Sequence, residues 1–201
     1  MENITQTQHK TQRKIVEAAI ELMSNRGFHR VSVQEVGEKA GMCEKTVFRY
    51  FPTKKALLEE IVRYRSYAHE LKTEFERKRT WHLDHDLKLA FRLYFQATKS
   101  KRNAFRAYLS ALDSIDMNGE DFLKDSHEVQ SFLGEYIAEM QRRGYVQPGD
   151  PLLMARALVN TLHGYMLMYC LNDDEKAWQT KVASIKLTIN LFIQGFAQEK
   201  I

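Results

Sequence analysis

The chain has 201 residues, 44% of them hydrophobic and 28% charged, a balance that suits a packed globular protein and excludes a disordered one. Two cysteines exclude a disulfide framework and fit a reducing cytoplasm, and no apolar run approaches the roughly 18 residues that cross a bilayer. The polar N-terminus lacks the apolar core of a signal peptide.

The net charge of +4 lies at one end. Residues 1–65 carry 12 Lys/Arg against 8 Asp/Glu, whereas residues 66–201 carry 18 of each. That asymmetry points to a polyanionic partner for the N-terminal part.

The first expected helix runs from Thr11 to Arg26. Ile15, Ala18, Ala19, Leu22 and Met23 recur on one face, Thr11 is the expected N-cap and Gly27 the stop. Phe28 and Val31 are core anchors of the connection. Ser32-Val-Gln-Glu35 is a capping box opening a second helix that buries Val33, Val36 and Ala40. Gly41 supplies the tight turn of a helix-turn-helix.

The third expected helix spans 43–50 and buries Val47, with Met42 and Phe51 at its ends. Pro52 stops it, Thr53 caps a fourth that starts at Lys54-Lys55, and Leu57, Leu58, Ile61 and Tyr64 carry that helix toward Phe75 as a long connector.

In a helix-turn-helix the second helix lies in the major groove of double-stranded DNA. Glu44, Lys45, Phe48 and Arg49 face outward and are the candidate base contacts. Arg49 can donate twice to guanine, Lys45 once, Glu44 can accept from cytosine N4, and the Phe48 ring can touch a thymine methyl. Ser32, Thr46, Tyr50, Thr53, Lys54 and Lys55 are the candidate phosphate contacts, which position without reading sequence. The competing reading is a small helical packing unit with a solvated basic face.

The run 13–28 (Arg-Lys-Ile-Val-Glu-Ala-Ala-Ile-Glu-Leu-Met-Ser-Asn-Arg-Gly-Phe), then Val31-Ser32-Val33, Ala40-Gly41, Thr46 and Tyr50-Phe-Pro-Thr-Lys54 resemble the DNA-binding domain of TetR-type regulators over about residues 10–60. The resemblance implies an all-helical homodimeric repressor that binds a palindromic operator and carries a C-terminal pocket for a small-molecule inducer. It transfers phosphate contact to Tyr50 and Lys54, and the charge partition places the two expected domains at 1–65 and 66–201. The chain departs from the family pattern at Cys43, where a capping Ser is usual, at Lys45, where Gly is common, and at Phe48, often Tyr. Cysteine is a poor cap. These departures imply an operator sequence of its own.

From residue 66 the pattern is helical throughout, with helices expected over 85–100, 102–117, 120–143, 151–171 and 175–198. Breaks are expected at Ser100-Lys101, at 117–119, at Gly144 with Pro148-Gly149, and at 172–174. The last two helices are apolar on most of their circumference, through Leu152, Ala155, Val159 and Met168 on one and Val182, Leu187, Leu191 and Ile193 on the other. Such helices need cover on both sides, which predicts a two-fold interface of Leu158, Leu162, Tyr165, Met166, Tyr169, Ile185, Ile189, Phe192 and Phe196. Gly164 and Gly195 would allow close helix approach.

The middle helices carry Phe91, Tyr94, Phe95, Phe105, Tyr108, Leu112, Phe132 and Tyr136, with Asn160 and His163 on the penultimate helix. Such a stripe is ordinarily core; with the resemblance it becomes the candidate lining of a largely apolar effector cavity. Arg106 or His163 is placed to anchor an acidic head group, and a structural hydrogen-bonded role is an equal alternative for His163.

Other chemistries find less support. His82 and His85, between Trp81 and Asp86, offer metal-ligand types, but no third distant ligand is evident and the segment reads as a solvated helix start. Cys170 sits on an apolar helix without a basic activator, while Cys43 at a helix N-terminus is the better thiol-sensor candidate. An enzyme would need a nucleophile or acid/base pair with an orienting partner, or a cofactor loop, and none is legible, so no cofactor or metal is expected. A protein binding DNA without sequence preference is the other rival.

Overall fold

The computed structural model describes residues 2–113, 120–171 and 175–198, and every regular element among them is an α-helix. The breaks expected at 117–119 and 172–174, and the side chain of Val182, lie outside the described residues. The chain divides into two compact units. One joins the residues up to Ser66 with the segment that begins at Lys101; the other joins Tyr67–Ser100 with the chain from Phe122 onward.

The first unit contains α1 (Glu2–Arg26), α2 (Val33–Ala40), α3 (Glu44–Tyr50), α4 (Lys54–Arg65) and, after an excursion of the chain, α7 (Arg102–Leu109). Helix α1 starts well before the expected cap at Thr11, because nothing between Glu2 and Arg26 breaks a helix: the stretch has neither Pro nor Gly. Ile15, Ala19 and Met23 of α1, Val36 of α2, Val47 of α3, and Leu57, Leu58 and Ile61 of α4 are buried in one core. Each such large side chain contributes about 1.5–3 kcal/mol. Ala104, Ala107 and Ala111 complete that core. Small residues let α7 approach α1 and α4, which explains why this segment joins the first unit although it follows residue 66 in sequence.

The second unit contains α5 (Ala68–Lys78), α6 (Leu83–Ser100), α8 (Glu120–Arg142), α9 (Pro151–Leu171) and α10 (Glu175–Phe196). The expected continuous helix from Lys54 toward Phe75 is two helices. The chain leaves α4 at Ser66 (φ −56°, ψ 138°), and Tyr67 and Ala68 are then buried in the second unit. The break turns the Tyr67 ring edge-on to Tyr94, with centroids 5.5 Å apart, and brings its hydroxyl to His163 Nε2 at 3.0 Å. An antiparallel bridge between Val146 and Ala197 ties the α8–α9 connection to the end of α10, with Gln147 N donating to Phe196 O at 2.9 Å.

The helix start expected at 81–86 is there, with His82, Asp84 and His85 exposed, but Asp86 turns inward as a buried polar node. Asp86 is fully buried and accepts from the backbone N–H groups of Thr80 (2.8 Å) and Trp81 (2.7 Å), from the Tyr136 hydroxyl (3.1 Å), and is 2.9 Å from His85 Nδ1. Burial pushes this carboxyl up, but the hydrogen bonds outweigh it and hold it below its ordinary range. Trp81 takes a left-handed backbone (φ 64°), unusual for a bulky residue, and its ring stacks on Tyr136 and carries the Arg79 and Arg143 guanidinium groups at 4.4 and 4.0 Å.

Candidate nucleic-acid interface

Local chemistry sets each joint of the helix pair. Ser32 Oγ accepts from Glu35 N at 3.2 Å while Glu35 Oε2 accepts from Ser32 N at 2.7 Å, closing the capping box. Arg26 adds an ion pair to Glu35 Oε1 at 2.7 Å. The Ser32 backbone N–H, followed by the Arg26 guanidinium, pulls the Glu35 carboxyl down to about 2. Gly41 ends α2 in the left-handed region at φ 72°, a backbone that glycine adopts without strain.

Gly37 fixes how closely the next helix packs. A Cβ there would lie 2.8 Å from the Met42 carbonyl oxygen and 3.3 Å from Val47 Cγ2, so any larger residue would push the turn and α3 away. Sequence reading passed over Gly37, although a glycine inside an otherwise capped short helix is a signal of close approach.

Helix α3 sits on this mount with Val47 fully buried. Glu44, Lys45 and Arg49 are exposed, and the apolar Phe48 ring is left 40% exposed beside them. Positions 45, 48 and 49, and 44 with 48, share one helix face by their spacing, so the candidate base contacts are brought together. The Arg49 guanidinium lies 5.4 Å from the Tyr50 ring centroid, and Thr46 and Tyr50 are half-buried at the margin of that face. Cys43 occupies the N-cap with extended backbone but makes no capping bond. Its sulfur lies 3.3 Å from Thr46 Oγ1, and that hydroxyl, with the adjacent backbone N–H groups, draws the thiol pKa below its ordinary value.

The other candidate phosphate contacts divide. Ser32 and Thr53 use their hydroxyls as helix caps, Thr53 Oγ1 accepting from Ala56 N at 3.0 Å, and both remain exposed. Lys55 is exposed. Lys54 is turned inward: its Nζ donates to Phe28 O at 2.5 Å and lies 4.3 Å from the Phe28 ring centroid.

The candidate effector residues do not all lie in one unit. Phe105, Arg106, Tyr108 and Leu112 lie on or just after α7 in the first unit, with Phe105 and Tyr108 buried and Leu112 exposed. In the second unit Tyr94 is buried, its hydroxyl 3.7 Å from Met166 Sδ and its ring edge-on to His163. Phe91 stacks with Phe95, which meets Tyr169, and Phe132 and Tyr136 pack on Phe75. Asn160 Oδ1 accepts from Gln130 Nε2 at 3.3 Å, and Gln130 also donates to Ser126 Oγ. Tyr67, Ser126 and Gln130 were missed from sequence; an amphipathic pattern does not distinguish a buried polar side chain from a solvated one. Burial, with the neighbouring Tyr67 hydroxyl, raises the Tyr94 pKa well above its ordinary value, so its hydroxyl stays protonated.

Of the expected interface residues, Leu158, Leu162, Met166, Ile185, Ile189 and Phe196 are buried within the second unit itself. Tyr165, Tyr169 and Phe192 are half-buried, with the Tyr165 hydroxyl 2.8 Å from Thr188 Oγ1. The large apolar side chains that these helices leave to solvent are different ones: Leu152, Leu153, Leu167, Met168, Leu171, Leu187 and Leu191. A helix apolar on both sides offered two faces, and the expected residues mostly mark the inward one. A groove of about 470 Å³ between the start of α9 and the end of α10, lined by Leu153, Met154, Leu191 and Phe192, continues the outer face. Among the described residues no helix is long and apolar enough to cross a membrane.

Residues 15–61 match the sequence model of bacterial regulatory proteins of the tetR family. Over its length the chain is 21% identical to the uncharacterized HTH-type transcriptional regulator YvkB of Bacillus subtilis (strain 168), covering 94% of this chain and 98% of that one. In structure it is similar to the SmeT–triclosan complex, with a TM-score of 0.70 at 17% identity over 94% of this chain and 93% of the other. It is likewise similar to NalD, the secondary repressor of the MexAB-OprM multidrug efflux pump in Pseudomonas aeruginosa, with a TM-score of 0.67 at 16% identity over 97% and 100%.

Proposed function

We propose that this chain, whose residues 15–61 match the tetR-family model, is a TetR-type regulator: a homodimeric repressor that reads a palindromic operator through α3 and is released by a small, largely apolar effector. The observation that carries the reading is the exposed cluster Glu44, Lys45, Phe48 and Arg49 on a helix whose opposite side is fixed by the buried Val47 and the close approach at Gly37. A rigid mount with exposed side chains of mixed chemistry is what direct readout of base edges requires. Tyr50, Thr46, Lys55 and the α2 cap at Ser32 flank it as phosphate contacts.

The proposed dimer covers the outer faces of α9 and α10. Leu187 and Leu191 are 61% and 58% exposed, and a Cβ at Gly164 or Gly195 would meet nothing within 4 Å, leaving room for a second helix pair. Two-fold symmetry of the protein then demands palindromic half-sites. The effector would occupy the aromatic region of the second unit, where the hydroxyls of Tyr67 and Tyr94 and the His163 ring supply polar groups. SmeT is found with triclosan and NalD represses a drug efflux pump, and an apolar aromatic compound of that kind is the class of inducer we propose. Its binding would shift the balance between a DNA-competent and an incompetent arrangement of the reading helices.

Gel-shift titration with DNA from the region upstream of its own gene tests the reading. Arg49→Ala should weaken specific binding by about 1–3 kcal/mol while leaving random-sequence binding nearly intact. Equal wild-type affinity for upstream and random duplexes, with a footprint that shows no palindrome, would sink operator recognition and leave a protein that binds DNA without sequence preference.

A further inference from the structure

Phe28 lies in the short connection between α1 and α2, and three different segments hold it. Its backbone N–H donates to Ser110 Oγ at 2.9 Å, and Ser110 in turn donates to Ala107 O at 2.7 Å, so this bond comes from the end of α7. Its carbonyl oxygen accepts from Lys54 Nζ, at the first position of α4, and more loosely from Val31 N at 3.4 Å, one residue before the α2 cap. Its ring is buried under the Lys54 ammonium and edge-on to His29, whose Nε2 lies 3.0 Å from Asp113 Oδ1. One residue thus joins the segment after residue 101, the entry to α2 and the entry to α4, and α3 hangs between the last two.

The Lys54 ammonium is accounted for by this arrangement. It rests over an aromatic face and against a carbonyl oxygen, and that burial lowers its pKa, with Glu35 opposing. The half-buried ammonium is thus engaged by the Phe28 carbonyl and ring, whereas a phosphate contact would draw it away from both.

We infer that Lys54 is a positioning residue, and that Lys54 and Ser110 clasp Phe28 so that displacement of the 101–113 segment reaches the reading helix through it. The inference rests on the operator reading above. It assigns to one backbone unit the step by which a movement of α7 reaches α3.

A salt titration separates positioning from phosphate contact, because removing a cation that neutralises one phosphate lowers the slope of log affinity against log salt by about 0.9. The full-length protein first selects its operator from a random duplex library, and the affinity for that duplex is then measured between about 50 and 200 mM salt. Lys54→Met should lower operator affinity about tenfold with the salt slope unchanged, and Lys54→Arg, which keeps a cation over the ring, should restore most of it. Ser110→Ala leaves every DNA-facing charge in place and should lower operator affinity about threefold, again at constant slope. The double variant Lys54→Met/Ser110→Ala should lose less than the product of the two, since both act on Phe28.

A slope that falls by about 1 or more in Lys54→Met identifies a phosphate contact and overturns the inference. Undiminished operator affinity in Ser110→Ala overturns it too, even if Lys54→Met fails to fold. A wild-type protein that selects no sequence defeats the operator reading itself, and the inference falls with it; selection by the wild type with indifferent variants defeats the clasp alone.

Discussion

The two units treat their apolar side chains differently. In the first, the core closes on itself, and the only large hydrophobic residues left exposed among the described ones are Phe48, on the reading helix, and Leu112. In the second, two whole helix faces stay uncovered, with Leu153, Leu171, Leu187 and Leu191 each more than half exposed. One unit is complete and offers a polar, basic face; the other is incomplete and offers a greasy one. On the proposed function the first unit meets DNA through its basic face, whereas the apolar faces of the second are the ones a second copy would cover.

The uncovered faces are where this contrast is most exposed to test. Leu187→Glu with Leu191→Glu should cost the proposed dimer at least about 3 kcal/mol, since a charge would be buried without a partner. Light scattering should then find the mass of one chain where the wild type has that of two. An unchanged mass would mean that these faces do not meet in the assembly.

A different test asks whether the second unit also relies on its interior polar node. Asp86→Ala removes the acceptor of the Thr80 and Trp81 backbone N–H groups and of the Tyr136 hydroxyl. Urea unfolding should register a loss of about 3 kcal/mol, and near-wild-type stability would show that water replaces the carboxylate.

Smaller effects belong to the first unit. Cys43→Ser supplies the missing cap of α3 and should stabilise by about 0.5–1 kcal/mol, read as a higher melting temperature. The Glu35 carboxyl is lowered from the ordinary 4.5 to about 2, so its bonds to Ser32 and Arg26 stabilise the fold above the ordinary value and are lost as pH falls toward 2. Glu35→Gln should accordingly be less stable than wild type at neutral pH, with the difference closing between pH 4.5 and about 2. A constant difference across that range would assign the effect to packing.

Legibility in the sequence followed the same division. The capping box at Ser32, the turn at Gly41, the cap at Thr53 and the burial of Val47 are local consequences of residue type, and the structure has them where the sequence puts them. So were the outward Glu44, Lys45, Phe48 and Arg49.

What was not legible depends on distant partners. The break at Ser66 exists because Tyr67 has Tyr94 and His163 to pack on. The segment from Lys101 joins the first unit through alanines whose meaning lies in α1 and α4. Asp86 looked like one of several surface acids until Tyr136, fifty residues on, closed over it. The ammonium of Lys54 is held by the carbonyl of Phe28, twenty-six residues earlier in the chain, which no local pattern announces.

Gly37 has a consequence for how such a reader can diversify. With the Met42 carbonyl 2.8 Å from where a Cβ would stand, substitution at 37 shifts α3 as a whole, so every base contact proposed for it would be disturbed at once. Substitution at the exposed positions 44, 45, 48 or 49 would alter one proposed contact and leave the frame alone. Drift in operator preference among descendants of this chain should therefore run through those exposed positions in single steps, each new letter tried on an unmoved alphabet plate.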